Sequence, residues 1–263
     1  MLAAIGDSYS QGYDVSPSLP HRQDNVAYSW VIGDAKGDGV FSLRERLEAL
    51  GDSPVIVDAA TSGTKMDDAP RQALQVALAA GSLPPGSTAF VTFALGTNDI
   101  CGQPKTDLAA FEANLRQAID TLVWGLPHGS RILMLDVPDF VHLRAVTQTN
   151  PSARDFFTAH PLRCAPFLGS RSPVSLTDAK TTLLKYDEIL ERVCAETEAS
   201  YGPSDTLHCT ASRTSLSLRD FRIGDLSAYD LFHPSYSGQA KIAAAAWRMS
   251  PWANLPLPAD APR

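Results

Sequence analysis

Four short apolar runs, each followed by small or polar residues, constrain this chain more than any other feature. Residues 2–5 (LAAI), 55–60 (VIVDAA), 89–95 (AFVTFAL) and 131–137 (RILMLDV) carry few charges. A strand covered on both faces needs apolar side chains on both, so such runs mark a parallel sheet sandwiched by helices. Between the runs the pattern changes to helical stripes. Leu43, Leu47 and Leu50 recur at i, i+4 and i+7, while Leu108, Phe111, Leu115, Ile119 and Leu122 keep one face apolar behind an expected N-cap at Asp107. Two more helices are expected: one begins at Asp178 and carries Leu183, Leu190 and Val193, and the other follows Pro234 and carries Ile242, Ala246 and Trp247. The alternation predicts an α/β fold of βα units around a parallel sheet.

A chain of 263 residues is within what one hydrophobic core supports, so a single domain over residues 1–263 is expected. Residues 138–177 hold Pro138, Pro151, Pro161, Pro166 and Pro173 with little periodicity. They predict a long, partly irregular excursion over the strand ends, a candidate lid or pocket wall. The proline-rich tail, residues 251–263, is expected to be extended or disordered.

Charge narrows the partners. The formal net charge is -7 and no Lys/Arg cluster occurs, so the field repels a polyphosphate backbone and no nucleic acid is expected. No apolar run approaches the roughly 20 residues of a membrane span. The start MLAAIGDS has no basic region or cleavage site. Cys101, Cys164, Cys194 and Cys209 are an even, widely spaced set with no C-x-x-C pair, which favours disulfides over zinc and a secreted or periplasmic location over the cytoplasmic alternative of four buried thiols. Because Met1 directly precedes the first strand, removal of a leader is consistent with this. His21, His128, His142, His160 and His208 are dispersed, and residues 33–39 (GDAKGDG) lack both the EF-hand spacing and the Walker Lys-Ser/Thr. No metal and no cofactor are expected.

The chemistry concentrates at the ends of the apolar runs. After the first comes Gly6-Asp7-Ser8, where a turn at a strand's carboxyl end exposes a nucleophile, although the triplet is also an ordinary turn. After the second, Thr61-Ser62-Gly63-Thr64 offers a backbone N–H unobstructed by a side chain. The third ends in Leu95-Gly96-Thr97-Asn98-Asp99, and an Asn amide donates to a developing oxyanion as an ionised Asp does not. Near the C-terminus, Asp230-Leu231-Phe232-His233-Pro234 sets a carboxylate three residues before a histidine, close enough to fix its tautomer. Each motif alone also fits a structural turn or a surface pair.

Taken in order, these four elements resemble the blocks of the SGNH (GDSL-type) hydrolase family. YSWVIG at residues 28–33, ALGTNDIC ending at Cys101, and LFHPSYSGQAKIAAAAW from Leu231 further resemble its phospholipase B-like branch. The resemblance implies a flavodoxin-like three-layer α/β/α sandwich and an esterase or lipase working by two-step acyl transfer. Ser8 is then the nucleophile, His233 the base and Asp230 its orienter, with the oxyanion held by the N–H groups of Ser8 and Gly63 and the Asn98 amide. Ser62 and Thr61 stand where many relatives have smaller or apolar residues, which narrows or polarises that hole. The G-x-S-x-G elbow of α/β-hydrolases is absent. Cys101 lies three residues after Asn98; of three possible connectivities, Cys101 with Cys164 and Cys194 with Cys209 is expected. The substrate is a small-molecule or lipid-like ester, with a carbohydrate O-acetylesterase as the rival enzyme and a non-catalytic binding module as the rival of another class. Phe140, Val141, Phe156, Phe157, Phe167 and Leu168 favour an acyl chain if they line the pocket, and equally fit a core beneath it.

Overall fold

A computed structural model of the chain describes residues 1–102, 104–161, 164–169, 175–212 and 220–257. Its centre is a five-stranded parallel sheet: β1 (Leu2–Gly6), β2 (Ile56–Asp58), β3 (Phe90–Ala94), β4 (Ser130–Leu135) and β5 (Leu207–Ser212). The spatial order is β2-β1-β3-β4-β5, the flavodoxin-like order, in which the connections reverse direction between β1 and β3. Every residue of β1 and β3 is buried, as their unbroken apolar runs require.

The helices in chain order are α1 (Leu43–Ala49), α2 (Ala69–Ala80), α3 (Thr97–Cys101), α4 (Leu108–Gly125), α5 (Phe140–Gln148), α6 (Pro151–Ala159), α7 (Leu176–Tyr201) and α8 (Tyr236–Arg248). α2, α4 and α7 pack side by side on one face, and α1 pairs with α8. Phe111 of α4 stacks on Tyr186 of α7 with ring centroids 4.1 Å apart. Both rings are completely buried, and burying a side chain of this size stabilises by about 1.5–3 kcal/mol.

Local chemistry sets the helix starts. Ser42 and Glu45 form a reciprocal capping box at α1, and the Asp107 carboxylate accepts from the N–H groups of Ala109 and Ala110 at α4. α7 starts earlier than expected because the cap is Ser175, whose hydroxyl accepts from Asp178 N–H; Asp178 is in the first turn rather than at its start.

Residues 138–177, expected as a partly irregular excursion, contain the two helices α5 and α6. Pro138 directly precedes the α5 cap Asp139, and Pro151 is in the first turn of α6 behind its cap Asn150. A proline at a helix start loses no hydrogen bond, so these residues open helices rather than prevent them. Pro173 lies outside the described residues. The tail differs as well: residues 251–255 form turns, and Trp252 packs on Phe90 and Trp247 at centroid distances of 5.0 and 6.0 Å. Residues 258–263 lie outside the described residues.

Both expected disulfides are formed. Cys194–Cys209 joins α7 to β5 across a sequence separation of 15, and Cys101–Cys164 ties the end of α3 to the segment after α6. Closing a loop of the shorter size contributes about 3 kcal/mol in the chain-entropy account. Such bonds are compatible with an extracellular location. Among the described residues no helix is long and apolar enough to cross a membrane.

Candidate active site

Parallel strands all point the same way, so the turns after β1, β2 and β3 share one edge of the sheet. In sheets of this order, the reversal between β1 and β3 marks the part of that edge where ligands bind. Ser8 follows β1, Gly63 follows β2, and Asn98 lies in the first turn of α3, just past β3. The tight turn at Ser8 requires glycine at position 6, where an added Cβ would stand 2.3 Å from Ser10 Oγ. Asp7 closes the turn by accepting from Tyr9 N–H at 3.0 Å. Gln72, fully buried, accepts from Gly6 N–H at 2.8 Å and donates to Gly6 O at 3.0 Å and to Thr64 Oγ1 at 3.2 Å. One side chain thus pins the end of β1 to the loop that carries Gly63.

His233 arrives from the far end of the chain. Its Nε2 is 2.9 Å from Ser8 Oγ, and its Nδ1 is 2.5 Å from Asp230 Oδ2. Asp230 Oδ1 accepts from the N–H groups of Phe232 and His233, each at 3.0 Å, so the carboxylate holds both the ring and its own loop. Ser8 and His233 are 5% exposed and Asp230 is 1% exposed, where weak screening strengthens each of these bonds. Tyr9 Oη donates to Phe232 O at 2.9 Å, tying the two loops together beside Ser8 and His233. Tyr9, Tyr13 and Phe232 place rings around the imidazole at centroid distances of 5.8, 4.7 and 4.9 Å.

Gly63 has a φ of +82°, a conformation that favours glycine, and no atom lies within 4 Å of an added Cβ. Asn98 Nδ2 donates to Thr64 O at 2.9 Å. That bond fixes the amide and leaves its second hydrogen for another acceptor. Asp7 and Asp99, flanking Ser8 and Asn98, are buried carboxyls pushed up to about 6 by loss of solvent. Among the described residues, no hydrogen-bond partner reaches the buried Asp7 Oδ2.

The sequence reading missed Tyr9, Tyr13, Asp14 and Gln72. Asp14 brings a further carboxylate within 4.8 Å of Asp230 and His233. With both imidazole nitrogens already engaged by Asp230 and Ser8, the grouping does not read as a metal centre. Of the six residues that fit either an acyl-chain pocket or a core beneath it, Phe140 and Phe167 are completely buried, with Phe140 stacked on Phe232 at 5.7 Å; Phe157 and Leu168 are nearly buried but line a cavity with Arg144 and Arg154, and Val141 and Phe156 are half-buried.

A model of the GDSL-like lipase/acylhydrolase family matches residues 4–241. The chain belongs to this family. As an acylhydrolase it is a carboxylic-ester hydrolase, and its substrates are small-molecule esters. The fold agrees with that of solved relatives. A structure titled TesA shares 18% identity at a TM-score of 0.52, covering 94% of this chain and 95% of that one. A lipase/acylhydrolase from Enterococcus faecalis shares 17% identity at a TM-score of 0.50, covering 94% and 93%. No curated protein sequence matches the acylhydrolase closely enough to count.

Proposed function

We propose that this acylhydrolase works through an acyl-enzyme on Ser8. The observation that carries the reading is the unbroken hydrogen-bonded chain from Asp230 through His233 to Ser8. His233 Nε2 takes the hydroxyl proton as Oγ attacks the ester carbonyl; Asp230 holds the tautomer that makes this possible and stabilises the imidazolium. His233 then passes the proton to the departing alcohol. Water repeats the sequence on the acyl-enzyme and frees the acid. The N–H groups of Ser8 and Gly63 and the second hydrogen of the Asn98 amide hold the oxyanion.

Asn98→Ala is expected to lower kcat by roughly a hundredfold to a thousandfold, because one donor is lost while attack and proton transfer persist. Steady-state kinetics on a p-nitrophenyl ester measures this; a change of less than about threefold removes Asn98 from the oxyanion site. A general base acts only when deprotonated, so kcat/KM is also expected to fall toward acid pH; a profile with no acid limb contradicts the role of His233 as base.

For the substrate, Phe140 and Phe167 are packed completely into the core, which leaves fewer apolar side chains to line a pocket for a long acyl chain. Short acyl esters are the proposed substrates. A carbohydrate acetate remains the second reading, favoured by the polar rim beside Gly63, where Ser62 Oγ donates to Asp24 Oδ1. A p-nitrophenyl ester series read beside acetylated xylan separates them. Highest kcat/KM at acetate to butyrate with no release from xylan supports the first reading, acetate release from xylan the second, and a maximum at long chains neither.

A further inference from the structure

The turn that carries Ser8 goes on to deliver a second acidic group to the proposed base. The carboxylates of Asp14 and Asp230 and the imidazole of His233 each contribute one atom to a group in which no two are more than 4.8 Å apart. Asp14 is only 2% exposed, and its φ of +49° is left-handed, a conformation that Asp tolerates better than most residues but still at a cost. The position is held from three sides. The backbone carbonyl accepts from Ser227 Oγ, the backbone N–H donates to Gln23 O at 3.3 Å, and Oδ1 accepts from Arg22 N–H at 2.5 Å. Its neighbour Tyr13 lays a ring over the imidazole at 4.7 Å.

Two carboxylates at this range repel one another in a buried site unless positive charge forms beside them. The imidazolium is that charge. Backbone strain, near-complete burial and like-charge proximity converge on a single residue, a combination that stability alone does not favour. We propose that Asp14 is a positioning residue acting through His233: its carboxylate, second to that of Asp230, stabilises the imidazolium formed when Ser8 gives up its proton. The proposal rests on the reading of His233 as base. The other groups facing the imidazole are Asp230 and Phe232 from its own loop, and Asp7, Ser8, Tyr9 and Tyr13 from the turn after β1.

The pH profile of kcat/KM for wild type and Asp14→Asn, at one ionic strength, tests it. Asn keeps an oxygen for Arg22 N–H and removes only the charge. With less negative charge nearby, the imidazolium releases its proton more readily, so the acid limb is expected to move down by about one pH unit. The plateau is expected to drop about tenfold, since a weaker base removes the serine proton less well. Asp14→Ala should show the same shifted limb with a lower Tm, because the Arg22 anchor is lost too. Superimposed limbs for Asp14→Asn and wild type overturn the proposal, and so does a uniform loss of activity with the limb unmoved, which is what damage to the loop alone produces. A wild type without any acid limb is a different result, one that removes the base reading itself.

Discussion

Ser8→Ala is expected to lower kcat on a p-nitrophenyl ester by on the order of 10⁵- to 10⁶-fold while leaving the fold intact. In the proposed mechanism the hydroxyl is the atom that bonds to the carbonyl carbon, so its loss removes the attacking group itself. Because nucleophile and base act as one unit, Ser8→Ala with His233→Ala should be little worse than Ser8→Ala alone. The residue is 5% exposed and its Oγ is bonded to His233 Nε2. Alanine deletes one oxygen from this turn and leaves the backbone bonds from the Gln11 and Tyr13 N–H groups to Ser8 O in place. An unchanged Tm beside the kinetic loss therefore separates a chemical effect from a structural one. A loss of less than about a hundredfold is incompatible with attack by Ser8.

Asp230→Asn is expected to cost roughly 10⁴-fold in kcat, and by a different route. The substitution keeps an oxygen to accept from the Phe232 and His233 N–H groups, so the loop retains its shape. What changes is the atom facing His233 Nδ1. An amide NH₂ in that position donates, which makes Nδ1 the acceptor and puts the ring hydrogen on Nε2, where it cannot accept the serine proton. The charge that stabilises the imidazolium is lost as well. Asp230→Ala is a poorer test, since it also leaves two buried N–H groups without an acceptor. A kcat within about tenfold of wild type for Asp230→Asn shows that the ring orientation does not depend on this carboxylate.

The parts of this molecule that were legible in its sequence are those whose role demands a residue type. Ser8, Asn98, Asp230 and His233 each stand at the end of an apolar run or in a short motif, and the roles proposed for them call for those side-chain chemistries. Burial on both faces dictated the sequences of β1 and β3, and so they were visible as unbroken apolar runs. β5 was not, because among the described residues it pairs only with β4 and it alternates Leu207, Cys209 and Ala211 with His208, Thr210 and Ser212, the weaker pattern of an edge strand. α2 packs largely through small residues, Ala69, Ala73 and Ala80, which leave a faint stripe. Prolines at the entrances of α5 and α6 disguised two helices as a loop. Gln72, Tyr13 and Asp14 escaped notice for another reason: their partners are distant in sequence, and only the folded chain brings Asp14 beside His233 or Gln72 against Gly6. A buried polar residue has no local signature of the group it serves.

Labelling with a fluorophosphonate probe, followed by mass spectrometry of the modified peptide, tests the proposed mechanism most directly. Phosphonylation needs both an activated hydroxyl and an oxyanion site to receive the phosphoryl oxygen. The adduct is expected on Ser8 in the wild type and is expected to be absent from Ser8→Ala; a folded wild type left unmodified, or modified at a different serine, contradicts the mechanism.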